Sequence, residues 1–376
     1  MFGFRKTRKS FLKINTSNAG IFFGLLIFLL TFFGFIMLSS ASLSLGEARF
    51  NDSWYYLKHQ ALSGLPMGLF GFFFMYFLAG EWLKKAAFPI FLLSVGFLVL
   101  VFTPLGINAG GAERWVNLQF FSFQPSELLK ISLVLYVAAW LSSALRKREE
   151  DFFKGFVPFI LILSFVGGML LLQPATSTAV ILLSTALLMY FISGAKMRYI
   201  LVLGGLGVTV LAGTIYLTPY KWKRFETYLN PAQNQSSSSF HINQTIKAVS
   251  SGQFFGVGYG QSTTKLKYLP EPMGDSIFAI LAEEFGFLGV AVIIFAYLLI
   301  LLMCFYFAYR ETDQFFRLLF AGYGWLIGFQ AFVNIAAISG VIPLTGAPLP
   351  FVSYGGTALV VNLTISGILA GLMRKV

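Results

Sequence analysis

The chain has 376 residues, 57% hydrophobic and 11% charged, with 27 Lys and Arg against 15 Asp and Glu for a net charge of +12. A water-soluble domain carries about 25% charged residues, so this composition, with a mean hydropathy of +0.77, excludes a soluble globular protein and places the chain in a membrane. One cysteine, Cys304, and two distant histidines, His59 and His241, exclude a disulfide framework and a zinc site built on Cys or His.

In chain order, ten apolar runs are each long enough to cross ~30 Å of hydrocarbon. They cover about 19–41, 57–80, 87–105, 125–145, 153–173, 177–195, 199–217, 276–309, 314–340 and 352–372. The first is too long for a signal-peptide core and another span follows it closely, so it reads as a retained helix. Segment 276–309 is overlong and either begins outside the hydrocarbon or tilts. The expected fold is an all-α polytopic membrane protein of about ten transmembrane helices, forming one domain over 1–376. One large extracytoplasmic loop, 218–275, separates helices seven and eight.

Basic residues sort by side. Arg5, Lys6, Arg8, Lys9, Lys13, Lys84, Lys85, Arg146, Lys147, Arg148, Lys154, Lys196, Arg198, Arg310, Arg317, Arg374 and Lys375 fall on one side, and the alternate short loops hold only Arg49 and Arg114. The positive-inside rule then makes both termini cytoplasmic. The pI near 9.7 records this asymmetry, so no nucleic-acid partner is expected.

The outer connections carry the candidate chemistry. In GINAGGAERWVNLQFFSFQPSE (106–127), Pro125 suits a first helical turn and Glu127 lies near the positive end of the helix dipole. Lys130 shares its face, and the spacing fits a structural ion pair or a polar site equally well. Arg114 and Trp115 fit an interfacial anchor or a ligand contact. Loop 218–275 sets Lys221, Lys223, Arg224, Lys247, Lys265 and Lys267 against Glu226, Glu271 and Asp275. That basic surface suits lipid headgroups or an anionic partner such as a lipid pyrophosphate. Within it, QSSSS at 235–239 reads as flexible, and HINQTIKAVSSG at 241–252 as a short interfacial helix. Glycines at 252, 256, 258 and 260 permit close backbone approach to a ligand.

Residues 269–284, LPEPMGDSIFAILAEE, compress acidic positions into the mouth of a span. Glu283 and Glu284 fall about 12 Å deeper than Asp275 at 1.5 Å per helical residue. Ionisable groups inside a span are costly and mark function. Asp275 is placed to cap the helix, to act as a base, or to do both. In GVIPLTGAPLPFVSYGG (340–356), three prolines and several glycines forbid regular helix, and such backbone at membrane depth lines a cavity.

QPSELLK at 124–130, YLPEPMGDSIFAILAEEFG at 268–286 and GVIPLTGAPLPFVSYGG together resemble the signatures of the shape, elongation, division and sporulation (SEDS) family, which includes FtsW, RodA and SpoVE. The YYLKHQ entry to the second span is nearer FtsW and SpoVE. The resemblance covers nearly the whole chain. It implies a peptidoglycan glycosyltransferase at the extracytoplasmic face of the bacterial inner membrane, polymerising lipid II during septal wall synthesis, with Asp275 as the catalytic base. It also implies a class B penicillin-binding transpeptidase and other divisome proteins as partners, and no organic cofactor. A divalent cation, Mg2+ or Mn2+, would be held with the substrate pyrophosphate. On this reading Arg114, Trp115, Glu127, Lys130, Lys265, Lys267, Pro270, Glu271, Glu283, Glu284, Pro350, Ser353, Gly355 and Gly356 bind substrate or line the cavity. A lipid II flippase and a non-catalytic divisome scaffold are the rival readings. Three departures from the family pattern stand out: Ala175 and Ser177 replace an Asp and a Gly, Glu113 replaces an Arg, and LPEPMGD lacks the usual histidine.

Overall fold

The computed structural model describes residues 18–109, 112–117, 122–143, 151–229, 237–266 and 269–376. Lys267, Gln235 and Ser236, and the basic residues at 5–13 and 146–148, lie outside them. The described helices are α1 (Ala19–Phe50), α2 (Tyr55–Leu78), α3 (Trp82–Leu100), α4 (Pro125–Leu141), α5 (Phe152–Leu172), α6 (Thr176–Ile192) and α7 (Met197–Leu217), then α8 (Pro219–Leu229), α9 (Ser237–Ser251), α10 (Ile277–Arg310), α11 (Gln314–Ile338) and α12 (Gly356–Met373). Eight of them are long and apolar enough to cross a membrane, and α4 and α6, at 17 residues each, match the two remaining apolar runs. Strands β1 (Gly106–Ala109), β2 (Ala112–Asn117) and β3 (Ser122–Phe123) form one small antiparallel sheet in the order β1-β2-β3.

Apolar residues on all faces of most spans fit helices that meet lipid on one side and one another on the other. α2 and α12 approach through small residues: a Cβ added at Gly68 would lie 2.6 Å from Leu363 Cδ1, and one at Gly367 would lie 2.3 Å from Phe72 O. That close backbone approach is how membrane helices associate without a hydrophobic driving force. α7 is the opposite case, since only Tyr199 and Leu203 along it are buried.

Two segments differ from the sequence reading. Residues 106–123, taken as plain loop, contain the sheet, whose Val116 and Phe123 are buried with Val101 in a small apolar cluster. Strands of two to six residues are too short for alternation to reveal. The stretch 218–275, taken as a loop with one short helix at 241–252, holds that helix as α9 and a second, α8, and the residues Ser237 to Ser239 expected to be flexible open α9.

α10 is broken at Gly286, where φ is 63° and ψ −162°. The carbonyls of Glu283 and Glu284, released from the helix, accept from Val257 N (2.9 Å) and Gly258 N (3.1 Å), and the amides of Phe287 and Leu288 donate to Gln253 O (2.9 Å) and Phe254 O (3.2 Å). The glycine run thus serves the broken helix, not a phosphate, and satisfies backbone groups that hydrocarbon would leave unpaired. Two of these glycines have no room for a side chain: a Cβ at Gly252 would lie 1.9 Å from Ala282 O, and one at Gly256, itself at φ 80°, 2.2 Å from Glu284 O. Gly256→Ala is therefore expected to destabilise the protein by more than about 2 kcal/mol, from left-handed backbone cost plus forced displacement. Thermal unfolding in detergent checks this against Gly205→Ala, where nothing lies within 4 Å.

Candidate functional site

The described parts of the connections around β2, Gln173–Pro174, α8 and the segment before α12 are joined by side chains. Arg114 Nη2 donates to Pro174 O at 2.8 Å and its Nε to Gln173 O at 3.3 Å, Arg224 Nη1 reaches Leu344 O at 3.5 Å, and Tyr228 OH donates to Val341 O at 2.6 Å. Asp275 sits among them, one residue before Ser276, from which α10 departs.

Three consecutive carbonyls suspend this acid. Met273 O accepts from Tyr354 N (2.8 Å), Gly274 O from Ser353 Oγ (2.7 Å), and Asp275 O from Asn334 Nδ2 (2.8 Å). Asn334 also donates to Ala347 O (2.7 Å), and one turn away on α11 Gln330 Nε2 donates to Pro348 O (2.8 Å). Loop 339–355 and the approach to α10 are therefore pinned to one face of α11 by residues four apart. Two non-glycine residues in this assembly, Glu271 at φ 45° and Phe351 at φ 66°, hold left-handed backbone. Such conformations cost about 1 kcal/mol or more each and persist where surrounding bonds over-determine them.

The capping role considered for Asp275 is not what its side chain does. Ser276 holds the N-cap position, with no side-chain cap bond there. The Asp275 carboxylate is instead half-buried, Oδ1 lies 3.4 Å from Ser276 Oγ, and a Cβ added at Gly346 would come within 3.6 Å of Oδ2. Burial, then the neighbouring Glu271, raise its pKa to about 6, against the opposing pull of Arg224, its own backbone amide and Ser276. A carboxylate ionised at neutral pH yet more basic than usual is matched to general-base work.

The predicted basic contacts are redistributed. Lys265 is buried, its Nζ 2.7 Å from Glu284 Oε1, 2.7 Å from Ser40 Oγ and 2.8 Å from Gly260 O. Glu283 accepts from Ser262 Oγ (2.5 Å) and Thr263 N (3.1 Å). Glu283, Glu284 and Lys265 thus tie the glycine-rich segment to α10 and α1 and do not gather at the acid. Glu283 also borders a cavity of about 380 Å³, with Gln244, Lys247, Ser251, Thr263 and Thr264, that Asp275 does not line. Among the described residues the cation that acts on Asp275 is Arg224 of α8; Arg114 of β2 lies near Arg224, and Lys221 of α8 near Arg114. Burial depresses Arg114, with Arg224 adding to it, burial and then Arg114 depress Lys221, and Arg224 acts on both Asp275 and His241. Among the described residues none of the three is in a salt bridge with an acid. Net positive charge was the only signal for Lys221 and Arg224, and it could not rank them above Lys265.

Glu127 and Lys130 form a buried ion pair (2.7 and 2.8 Å), and Lys130 Nζ also donates to Gln330 Oε1 at 2.9 Å. Of the two roles their spacing allowed, they fill the structural one, bracing Gln330 and through it Pro348. Trp115 is half-buried on β2 opposite Ile107. Pro270 is exposed and its carbonyl accepts from Ser276 Oγ (2.9 Å), and buried Pro350 accepts from Tyr297 OH. Gly355 N donates to Gln60 Oε1 (2.9 Å), and Gly356 packs on Gly64. These residues shape the loop around the acid. His241, considered in the sequence only as a zinc ligand, lies beside Asp275 through Ser276, with Nε2 2.8 Å from Ser276 Oγ. Among the described residues no three His, Cys, Asp or Glu come together. Asp275 and Glu271 with Arg224 nearby do not fit a protein-built cation site.

With this geometry in place, the comparisons are specific. The FtsW, RodA and SpoVE cell cycle proteins match residues 21–376. A probable peptidoglycan glycosyltransferase FtsW of Geobacter sp. (strain M18) is 38% identical over 354 residues, spanning 92% of this chain and 94% of that one. Stage V sporulation protein E of Bacillus subtilis (strain 168) is 35% identical over 351 residues, with 92% and 94% covered. Among solved structures, one of a peptidoglycan synthase complex, concerned with the structural coordination of polymerization and crosslinking, aligns with a TM-score of 0.77 at 28% identity over 94% of this chain and 97% of that one. The crystal structure of rod shape determining protein RodA from Thermus thermophilus aligns at 0.68 and 26%, over 94% and 96%.

Proposed function

The chain belongs to the FtsW, RodA and SpoVE family, and from that premise we propose that it is a multi-pass membrane peptidoglycan glycosyltransferase that polymerises lipid II, with Asp275 as general base. The observation that carries this reading is the suspended, raised-pKa carboxylate facing Arg224, with Arg114 next to Arg224 and Lys221 next to Arg114. Asp275 takes the proton from the 4-hydroxyl of the acceptor sugar while that oxygen attacks the anomeric carbon of the donor. The new C–O bond forms with inversion as the bond to the lipid pyrophosphate breaks. The leaving pyrophosphate gathers negative charge, which cations already fixed in a partly buried site stabilise without reorganisation. Lys265 has no part in this, being held by Glu284.

The sorting of Lys and Arg supports cytoplasmic termini, and with them an extracytoplasmic acid. A class B penicillin-binding transpeptidase is the proposed partner, supported by the similarity to a synthase complex in which polymerization and crosslinking are coordinated. The experiment is the purified full chain, with and without its transpeptidase, given lipid II and scored for glycan polymer. In proteoliposomes a flippase would keep moving labelled lipid II after Asp275→Ala, and a scaffold would keep supporting division. Either outcome, without polymer from the unsubstituted protein, overturns the enzyme reading.

Arg224 gives a graded test. Arg224→Ala is expected to raise KM for lipid II about tenfold, the loss of one charge-assisted phosphate contact. Because Arg224 pulls the Asp275 pKa down, the acidic limb of the pH–rate profile should also move to higher pH. An unchanged KM would remove Arg224 from the donor site.

A further inference from the structure

Most of the side chains around Asp275 hold its backbone or set its charge environment; His241 does neither. The ring comes from the first turns of α9 and is half-buried. Its Nε2 lies 2.8 Å from Ser276 Oγ, and that oxygen lies 2.9 Å from Pro270 O and 3.4 Å from Asp275 Oδ1. Ser276 is fully buried, so water does not compete for its hydroxyl.

Hydrogen accounting assigns the roles. A hydroxyl has one proton to donate and lone pairs to accept with, whereas a carbonyl only accepts. Pro270 O, 2.9 Å away, can only accept, so the Ser276 proton goes to it and only weakly to the carboxylate at 3.4 Å. His241 Nε2 is then the donor to Ser276 Oγ. Burial, then Arg224, push the His241 pKa down to about 4, so the ring at neutral pH is uncharged, and its donor role toward Ser276 Oγ puts the single proton on Nε2.

We propose that His241 is a positioning residue for the Asp275 base: its Nε2–H occupies Ser276 Oγ, turning the hydroxyl proton toward Pro270 O and away from the carboxylate, while the uncharged ring fills space that water would otherwise enter. The effect on the base has a definite sign. A hydroxyl proton swung fully onto Oδ1, or water admitted beside it, stabilises the carboxylate anion and makes it a weaker base. The other charged groups around this pair are Arg224 from α8, which faces both His241 and Asp275, and Glu271 from the connection before α10. Arg114 of β2 lies behind Arg224, α11 offers neutral Asn334, and loop 340–356 contains no charged residue. Among the described residues His241 is the imidazole beside the acid, and its function here depends on staying neutral.

This inference rests on Asp275 being the base. The test measures kcat and KM for lipid II against pH on the full chain, for the unsubstituted protein, His241→Ala, His241→Met and His241→Gln. Ala and Met remove the donor, and Met keeps the volume filled if Ala impairs folding. Both are expected to move the acidic limb about one pH unit lower and to cut plateau kcat about tenfold, a partial loss of general-base catalysis, with KM little changed. Gln, whose amide also donates, is expected to restore limb and kcat to within about threefold. A Met variant with unchanged limb and kcat overturns the proposal, as does a Gln variant displaced as far as Met. Failure is separable: if Asp275→Asn still polymerises, the base assignment falls. If Asp275→Asn is inactive while the His241 variants leave the profile untouched, only this inference falls.

Discussion

Asp275→Asn should abolish polymerisation of lipid II, by about a thousandfold or more, while leaving the protein folded. General-base catalysis contributes about 10²–10⁴, and the amide is isosteric but cannot take a proton. The substitution isolates chemistry from architecture because the bonds that place residue 275 run through the carbonyls of Met273, Gly274 and Asp275, not through the carboxylate. The unsubstituted enzyme should lose activity as pH falls through about 6, where the carboxylate becomes protonated, and any residual rate of the Asn variant should be flat across that range. Stability should change in the opposite direction. The folded-state pKa lies above the ordinary value of 3.8, so the folded protein binds this proton more tightly than the unfolded chain does. Stability from this group is complete below about pH 4 and is lost as pH rises through about 6. Asn escapes that cost, and a gain of about 1–2 kcal/mol at neutral pH is expected after allowance for residual solvent contact. A thermal unfolding series in detergent at pH 5 and pH 8 measures the gain. An Asn variant that polymerises at the normal rate would end the base assignment.

The second large effect is expected at the Glu127–Lys130 pair. Lys130→Met leaves the Glu127 carboxylate buried without its cation and Gln330 Oε1 without a donor. Removing one partner of a buried pair costs about 3–5 kcal/mol, whereas replacing both by neutral groups is often tolerated. Lys130→Met should therefore lower the unfolding temperature sharply, and the double variant Lys130→Met with Glu127→Gln should recover much of the loss. The measured coupling is the quantity of interest, since these residues act as one unit. Activity should fall with stability, because Gln330 carries the strain onward to Pro348 and the loop around Asp275. A single variant as stable as the parent would show that water reaches the pair and that it braces nothing.

The ten-helix plan was legible because each span announces itself within its own residues. Runs such as 19–41 and 314–340 need no knowledge of their neighbours to be read as membrane-crossing. Loop 340–356 was legible for the same reason, since its prolines forbid helix wherever they lie. Asp275 stood out as a lone acid where such a loop meets a span. What could not be read depends on partners distant in the chain. Lys265 looked free because Glu284 is 19 residues away and Ser40 is 225. The glycines at 252–260 looked like a ligand cradle, but their partner is the backbone of α10 at Glu283 to Leu288. Gly286, inside an apolar run, gave a local hint of that break. His241 and Ser276 are separated by 35 residues, and no periodicity links them.

The suspension of residues 273–275 through their carbonyls has an evolutionary corollary. Met273 and Gly274 are held by peptide oxygens, a feature every amino acid supplies, although the Met273 side chain is also buried in the core. The PMG before the aspartate is compatible with that suspension, and a Cβ added at Gly274 would meet only ordinary contacts from 3.6 Å. A different residue at 274 would keep the same main-chain bond, so the spelling of that position is a poor guide to activity.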